Sequence, residues 1–124
     1  MENTILAVDD SATVREVLRS TLTEAEYDVV LAEDGQDALG HLMVGPDKVD
    51  MILTDLNMPN MTGIELIQKV RQKEGFRFIP ILMLTTEKRE DLKHEGKQAG
   101  ASCWLNKPFQ PEKLLAVVKM IVPN

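Results

Sequence analysis

Apolar residues gather in five short runs: Ile5 to Val8, Val29 to Leu31, Met51 to Leu53, Ile79 to Leu84 and Cys103 to Leu105. Between the runs, apolar positions recur at helical spacing. Val14, Val17, Leu18, Leu22 and Ala25 follow the first run, and Ala38, Leu39 and Leu42 fall within Gly35 to Val44. Ile64, Leu66, Ile67 and Val70 follow the third, and Leu114, Leu115, Val117, Val118 and Ile121 follow the fifth. The stretch from Glu87 to Ala99 has only Leu92 and Ala99 as apolar anchors, but its Glu, Lys, Arg and Gln content favours a solvated helix. Strand and helix alternating five times predicts a doubly wound α/β fold, with a parallel sheet between two helical layers. The runs are continuous rather than alternating, as expected of strands buried on both faces.

Composition narrows the class. At 124 residues, 44% hydrophobic and 27% charged, the chain reads as one globular domain over residues 1–124, with no linker and no output domain. A net charge of −6 argues against a non-specific nucleic-acid binder. Cys103 is the only cysteine, which excludes a disulfide framework and a Cys-based zinc site; in a buried strand it should be inert. No apolar stretch approaches the roughly 18 residues of a membrane span. The N-terminus lacks the cationic region of a signal peptide, so a soluble cytoplasmic domain is expected.

In an open parallel sheet, ligands bind beyond the carboxyl ends of the strands. Here strand one runs into Asp9-Asp10-Ser11, strand three into Asp55, strand four into Thr85-Thr86 and strand five into Lys107-Pro108. Helix capping accounts for one of Asp9, Asp10 and Ser11, but not for Asp55 arriving at the same edge. Carboxylates about 5 Å apart repel by roughly 3 kcal/mol per pair at an effective dielectric near 20. Lys107 is expected to offset only part of that, and a hard divalent cation such as Mg²⁺ the rest. No glycine-rich phosphate loop follows strand one, so a dinucleotide site and a P-loop are both unsupported. His41 and His94 lie in charged or amphipathic helical stretches and read as surface residues. An aspartate beside Mg²⁺ and an ammonium suits nucleophilic phosphoryl transfer through an aspartyl phosphate.

These residues also resemble the response-regulator receiver domain. The segment Asp55-Leu-Asn-Met-Pro-Asn-Met-Thr-Gly63 matches that family's D-x-x-M-P-x-M-x-G loop, and Ala99 to Phe109 matches its region around the lysine. The resemblance spans the whole chain and is nearest to the stand-alone chemotaxis regulators. It implies a flavodoxin-like five-stranded sheet in the order 2-1-3-4-5, flanked by five helices. It further implies that Asp55 accepts a phosphoryl group from a sensor histidine kinase. Asp10, Asp55 and the backbone carbonyl of Asn57 hold Mg²⁺, and Asp9 acts through water. Lys107 pairs with the phosphoryl group, ahead of a cis Lys107–Pro108 bond. Thr85 and Trp104 form the switch, while Asn57, Thr86 and Glu87 tune the phosphoryl lifetime. The downstream partner is a protein such as a flagellar motor switch component or another phosphorelay member, met by a monomer.

Three readings compete. The first is a phosphorylatable signalling switch without enzymatic activity on other molecules. The second is a small Mg²⁺ phosphohydrolase, disfavoured because Asn57 stands where an acid/base Asp is needed and no cap is present. The third is a receiver that no longer binds metal, disfavoured by the intact acidic set. Pro59, Met58 and Met61 are expected to shape a loop, with Gly63 serving its backbone conformation.

Overall fold

The computed structural model describes residues 3–44 and 48–124. Ten elements alternate: β1 (Thr4–Val8), α1 (Ala12–Glu24), β2 (Asp28–Ala32), α2 (Gly35–Val44), β3 (Met51–Thr54), α3 (Gly63–Arg71), β4 (Ile81–Thr85), α4 (Glu90–Ala99), β5 (Cys103–Asn106) and α5 (Pro111–Ile121). The strands form one parallel sheet in the order β2-β1-β3-β4-β5.

Alternate side chains of each strand feed opposite layers. Leu6, Val8, Ile52, Ile81 and Met83 pack with Ala38, Leu42, Ile64, Leu66, Ile67 and Val70, so α2 and α3 cover one face. Leu92 and Ala99 bring α4 to the same side. Ile5, Ala7, Met51, Leu53, Leu82 and Leu84 pack with Leu18, Leu22, Leu114 and Val118 of α1 and α5 on the other.

Two boundaries differ from the pattern. The fourth strand begins at Ile81 and not at Ile79, because Pro80 has no N–H to give the ladder. The fourth helix begins at Glu90 and not at Glu87. Glu87 Oε2 accepts the N–H groups of Lys88 and Arg89, so those residues turn around a side chain before the helix starts. Burial on both faces holds for β1, β3 and β4, whereas β2 and β5 are edge strands and only partly covered. Cys103 is therefore half-buried rather than sealed in the core. His94 is exposed, and the half-exposed His41 places Nε2 3.6 Å from Asp37.

Local chemistry sets the helix starts that carry the site. Ser11 caps α1 by accepting from the Val14 N–H. Thr62 and Glu65 form a reciprocal capping box at α3, a T-x-x-E signature readable in the sequence. Far from the site, Arg71 donates to the carbonyls of Phe76, Ile79 and Gly100, tying α3 to the approach of β4 and the end of α4. Burial pulls its guanidinium pKa down from the usual value.

Candidate functional site

Asp9, Asp10 and Asp55 leave the carboxyl ends of β1 and β3, which are adjacent in the sheet, and one ligand oxygen from each falls within 4.8 Å of the others. Asp9 and Asp55 are buried and Asp10 is exposed. Lys107 reaches over from the end of β5 and places Nζ 2.5 Å from Asp9 Oδ2 and 3.1 Å from Asp55 Oδ2. Asp9 Oδ1 accepts the Ser11 N–H at 2.9 Å, and Asp55 Oδ1 accepts the Leu56 N–H at 2.7 Å. Burial pulls the Lys107 pKa down, but hydrogen bonding to Asp9 and attraction from Asp55 and Asp9 outweigh it, so the net direction is upward. The ammonium therefore stays charged through the neutral range.

Lys107 reaches two of the three carboxylates, so it offsets the repulsion in part. Its nitrogen lies 2.5 Å from Asp9 and 3.1 Å from Asp55, while one oxygen from each of the three carboxylates lies within 4.8 Å of the others. At an effective dielectric of 20, each such ion pair is worth about 5–7 kcal/mol, against at least about 3 kcal/mol for each of the repelling pairs. What Lys107 leaves is net charge: three carboxylates and one ammonium sum to −2, which a divalent cation neutralises.

The donor set fits Mg²⁺. All candidate ligands are oxygens, and a hard cation that retains waters needs few protein ligands. Both oxygens of Asp9 already accept hydrogen bonds, which suits contact through water. Asp10 accepts no hydrogen bond from a side chain or loop among the described residues, leaving its carboxylate free for direct ligation. Asn57 is exposed in the loop after β3, and its carbonyl is likewise unclaimed among the described residues.

Thr85 ends β4 completely buried. Its Oγ1 accepts the Glu87 N–H at 3.2 Å, and its carbonyl accepts the Lys107 N–H at 2.9 Å. Thr85 pairs with Asn106 and Met83 with Trp104, so Thr85 and the half-buried Trp104 project from the same face of the sheet, two register positions apart. Glu87 is half-buried and Thr86 exposed at the mouth of this edge. Lys107–Pro108 is cis.

Several supporting groups were not singled out from sequence. Arg15 Nη1 donates to the Asp9 carbonyl at 2.8 Å, and the Thr54 hydroxyl donates to the Asp55 carbonyl at 3.0 Å. Both bonds are made to backbone, which no residue pattern announces. Met58 and Met61 are buried in the core, anchoring the loop, while Asn60 takes the left-handed turn at φ 71°. Gly63 does not serve backbone conformation in the way expected. Its need is space, since a Cβ there collides with the Asp55 carbonyl oxygen and comes within 3.0 Å of Leu56 Cα. Backbone cannot give way as a flexible side chain can. Gly63→Ala should therefore lower stability by about 1–3 kcal/mol, seen as a lower urea midpoint with an unchanged slope.

Fold and site together define a doubly wound, flavodoxin-like domain with a lysine-bridged acidic pocket at the carboxyl edge of its sheet. The sequence model of the Response regulator receiver domain family matches residues 5–119, and the chain belongs to that family, the receiver domain of two-component response regulators. Chemotaxis protein CheY1 of Helicobacter pylori is 37% identical over 119 residues, covering 95% of this chain and 95% of the relative. The phosphate regulon transcriptional regulatory protein PhoB of Pseudomonas aeruginosa is 40% identical, but the chain spans only 51% of its length. Among solved structures, chemotaxis protein CheY4 of Vibrio cholerae superposes with a TM-score of 0.93 at 43% identity, covering 98% of this chain and all of that one.

Proposed function

We propose that the chain is a phospho-accepting switch of chemotaxis-type signalling. It takes a phosphoryl group from a sensor histidine kinase on Asp55 and changes the face it offers a downstream protein. The observation that carries this reading is the convergence of Asp9, Asp10 and Asp55 within 4.8 Å, with Lys107 bridging two of them. Likeness to chemotaxis proteins over nearly their full length supports the pathway and the cytoplasm as its setting.

In transfer, an Asp55 carboxylate oxygen attacks phosphorus, the phosphorus–nitrogen bond of the donor breaks, and the electron pair leaves with the imidazole. Asp10, Asp55 and the Asn57 carbonyl would hold Mg²⁺, with Asp9 supporting the site from behind. The bound ion supplies charge neutralisation on the transferring oxygens. Lys107, already placed on Asp55, offers its ammonium to the same oxygens. Thr85 donates its hydroxyl to the phosphorylated side chain, and Trp104, on the same face, repacks in response. Glu87, Thr86 and Asn57, around the mouth, set how readily water reaches the acyl phosphate.

Beryllofluoride added with Mg²⁺ should change Trp104 emission beyond the effect of Mg²⁺ alone, because this is the only tryptophan. Asp55→Asn should abolish the response. Thr85→Ala should keep beryllofluoride binding, followed by fluorine NMR, yet lose most of the emission change. A full wild-type emission response in Thr85→Ala refutes the coupling, and no response in the wild type refutes the switch.

A further inference from the structure

The loop from the end of α3 to the start of β4 lies at the amino edge of the sheet, opposite the acidic pocket. Arg71 fixes it from within: Nη1 donates to the Phe76 carbonyl at 3.2 Å and to the Ile79 carbonyl at 2.7 Å. Ile79 is buried and Phe76 packs against the core, so both ends of the segment are anchored. Between the anchors, Phe78 is 90% exposed, more than any other large apolar residue described. Singly exposed apolar residues are common on protein surfaces. Phe78 differs because its ring stands out from a pinned backbone. Its surroundings are basic. Lys69, Arg71, Lys73 and Arg77 face a single carboxylate, Glu74, in this stretch, although the chain as a whole carries −6. Lys69, Lys73 and Arg77 have no ion-pair partner among the described residues. Lys73 and Arg77, with Gln72, Glu74 and Gly75, line an open hollow of 440 Å³ in the same loop.

We propose that this loop is a docking surface for an acidic segment of a partner protein, one that carries an aromatic or large aliphatic side chain. The partner's apolar side chain covers Phe78 and removes both from water. Its carboxylates meet Lys73 and Arg77 at the hollow, where charge complementarity fixes the register. Because Arg71 holds the loop in shape beforehand, little ordering cost falls on the binding step. Charge also decides the class of partner. A short acidic peptide meets the basic loop alone, whereas a nucleic acid or an anionic membrane is an extended negative surface that the chain's −6 repels. The loop sits at the edge of the sheet away from Asp55, so docking is constitutive, a tether that leaves the pocket untouched. It stands independently of the phospho-switch reading above.

The test is fluorescence anisotropy of a labelled peptide, Glu-Glu-Leu-Phe repeated three times, titrated with the full chain at low salt. The wild type should bind it. Replacing the peptide's Glu by Gln, or its Leu and Phe by Ser, should weaken binding about tenfold. Phe78→Ser should weaken it to a similar degree, as should Lys73→Glu combined with Arg77→Glu, which also removes the salt dependence. These are surface changes, so the urea midpoint should stay at the wild-type value, and Phe78→Ser decides if the charge variant misfolds. Beryllofluoride with Mg²⁺ should leave the wild-type affinity unchanged. No binding by the wild type at millimolar concentration, or wild-type affinity in Phe78→Ser, overturns the docking surface. Sedimentation with phosphatidylserine vesicles, or a dimer of the wild type, that Phe78→Ser abolishes while the peptide fails to bind gives the loop to a membrane or to a second copy, and either overturns the proposal. A shift in peptide affinity with beryllofluoride overturns the constitutive tether. If the wild type binds no beryllofluoride by fluorine NMR, the phospho-switch reading fails, and the peptide titration still decides the docking surface.

Discussion

Acetyl phosphate with Mg²⁺ should add one labile phosphoryl group to the wild-type chain and none to Asp55→Asn. Asp55, like Asp9, has a lysine on one oxygen and a backbone donor on the other, but its side chain is the more exposed of the two (11% against 2%), so its oxygen is both oriented and reachable before any donor arrives. The amide of the variant keeps the shape but removes the nucleophile, and the expected loss is complete within detection. Intact-mass analysis in acid, followed by loss of the added mass in mild base, reads the acyl phosphate directly. Asp10→Asn should keep the nucleophile yet label far more slowly, because it removes the exposed carboxylate best placed for direct metal ligation. Calorimetry on the same variant should show most of the Mg²⁺ binding gone. Labelling of Asp55→Asn at the wild-type level overturns the assignment.

The second large effect concerns stability. Lys107→Met should destabilise the metal-free protein by about 3–5 kcal/mol, because removing one partner of a buried ion pair strands the other. Here two carboxylates are stranded: the Asp9 side chain is 2% exposed and that of Asp55 is 11%. Saturating Mg²⁺ should recover much of the loss, since the cation replaces the missing charge. The sign with pH follows from the lysine. Its folded pKa is raised above the ordinary 10.5, so its contribution is present in full through the neutral range. It fades only as pH rises through the folded value on the alkaline side. Urea denaturation with chelator and with Mg²⁺, at neutral pH, measures both halves. Equal stability of variant and wild type in chelator contradicts the charge balance drawn for the pocket.

The architecture was legible because the signals for it are local. Five continuous apolar runs separated by helical periods give strands buried on two faces and helices that cover them, whatever the distant residues do. The candidate site was legible for a related reason: strand ends in a parallel sheet share one edge, so carboxylates following β1 and β3 and a lysine following β5 must meet. Boundaries were less secure where a single side chain intervened, as Pro80 does at β4 and Glu87 does before α4.

What the sequence determined by itself is therefore the fold class, the edge of the sheet that holds the chemistry, and the residue types gathered there. What only the tertiary structure decided are relations that depend on distance. Lys107 sits 2.5 Å from Asp9 and 3.1 Å from Asp55, tying two of the three carboxylates together while Asp10 stays exposed. Gly63 is needed for clearance from the Asp55 carbonyl, a contact between segments that no spacing rule encodes. Arg71 meets the carbonyls of Phe76 and Ile79 because the chain turns after α3, and each alone reads as an ordinary helix or loop residue. Periodicity reports which face a residue occupies. Coulomb energies and steric overlap change within an ångström, a scale that only the packed chain sets.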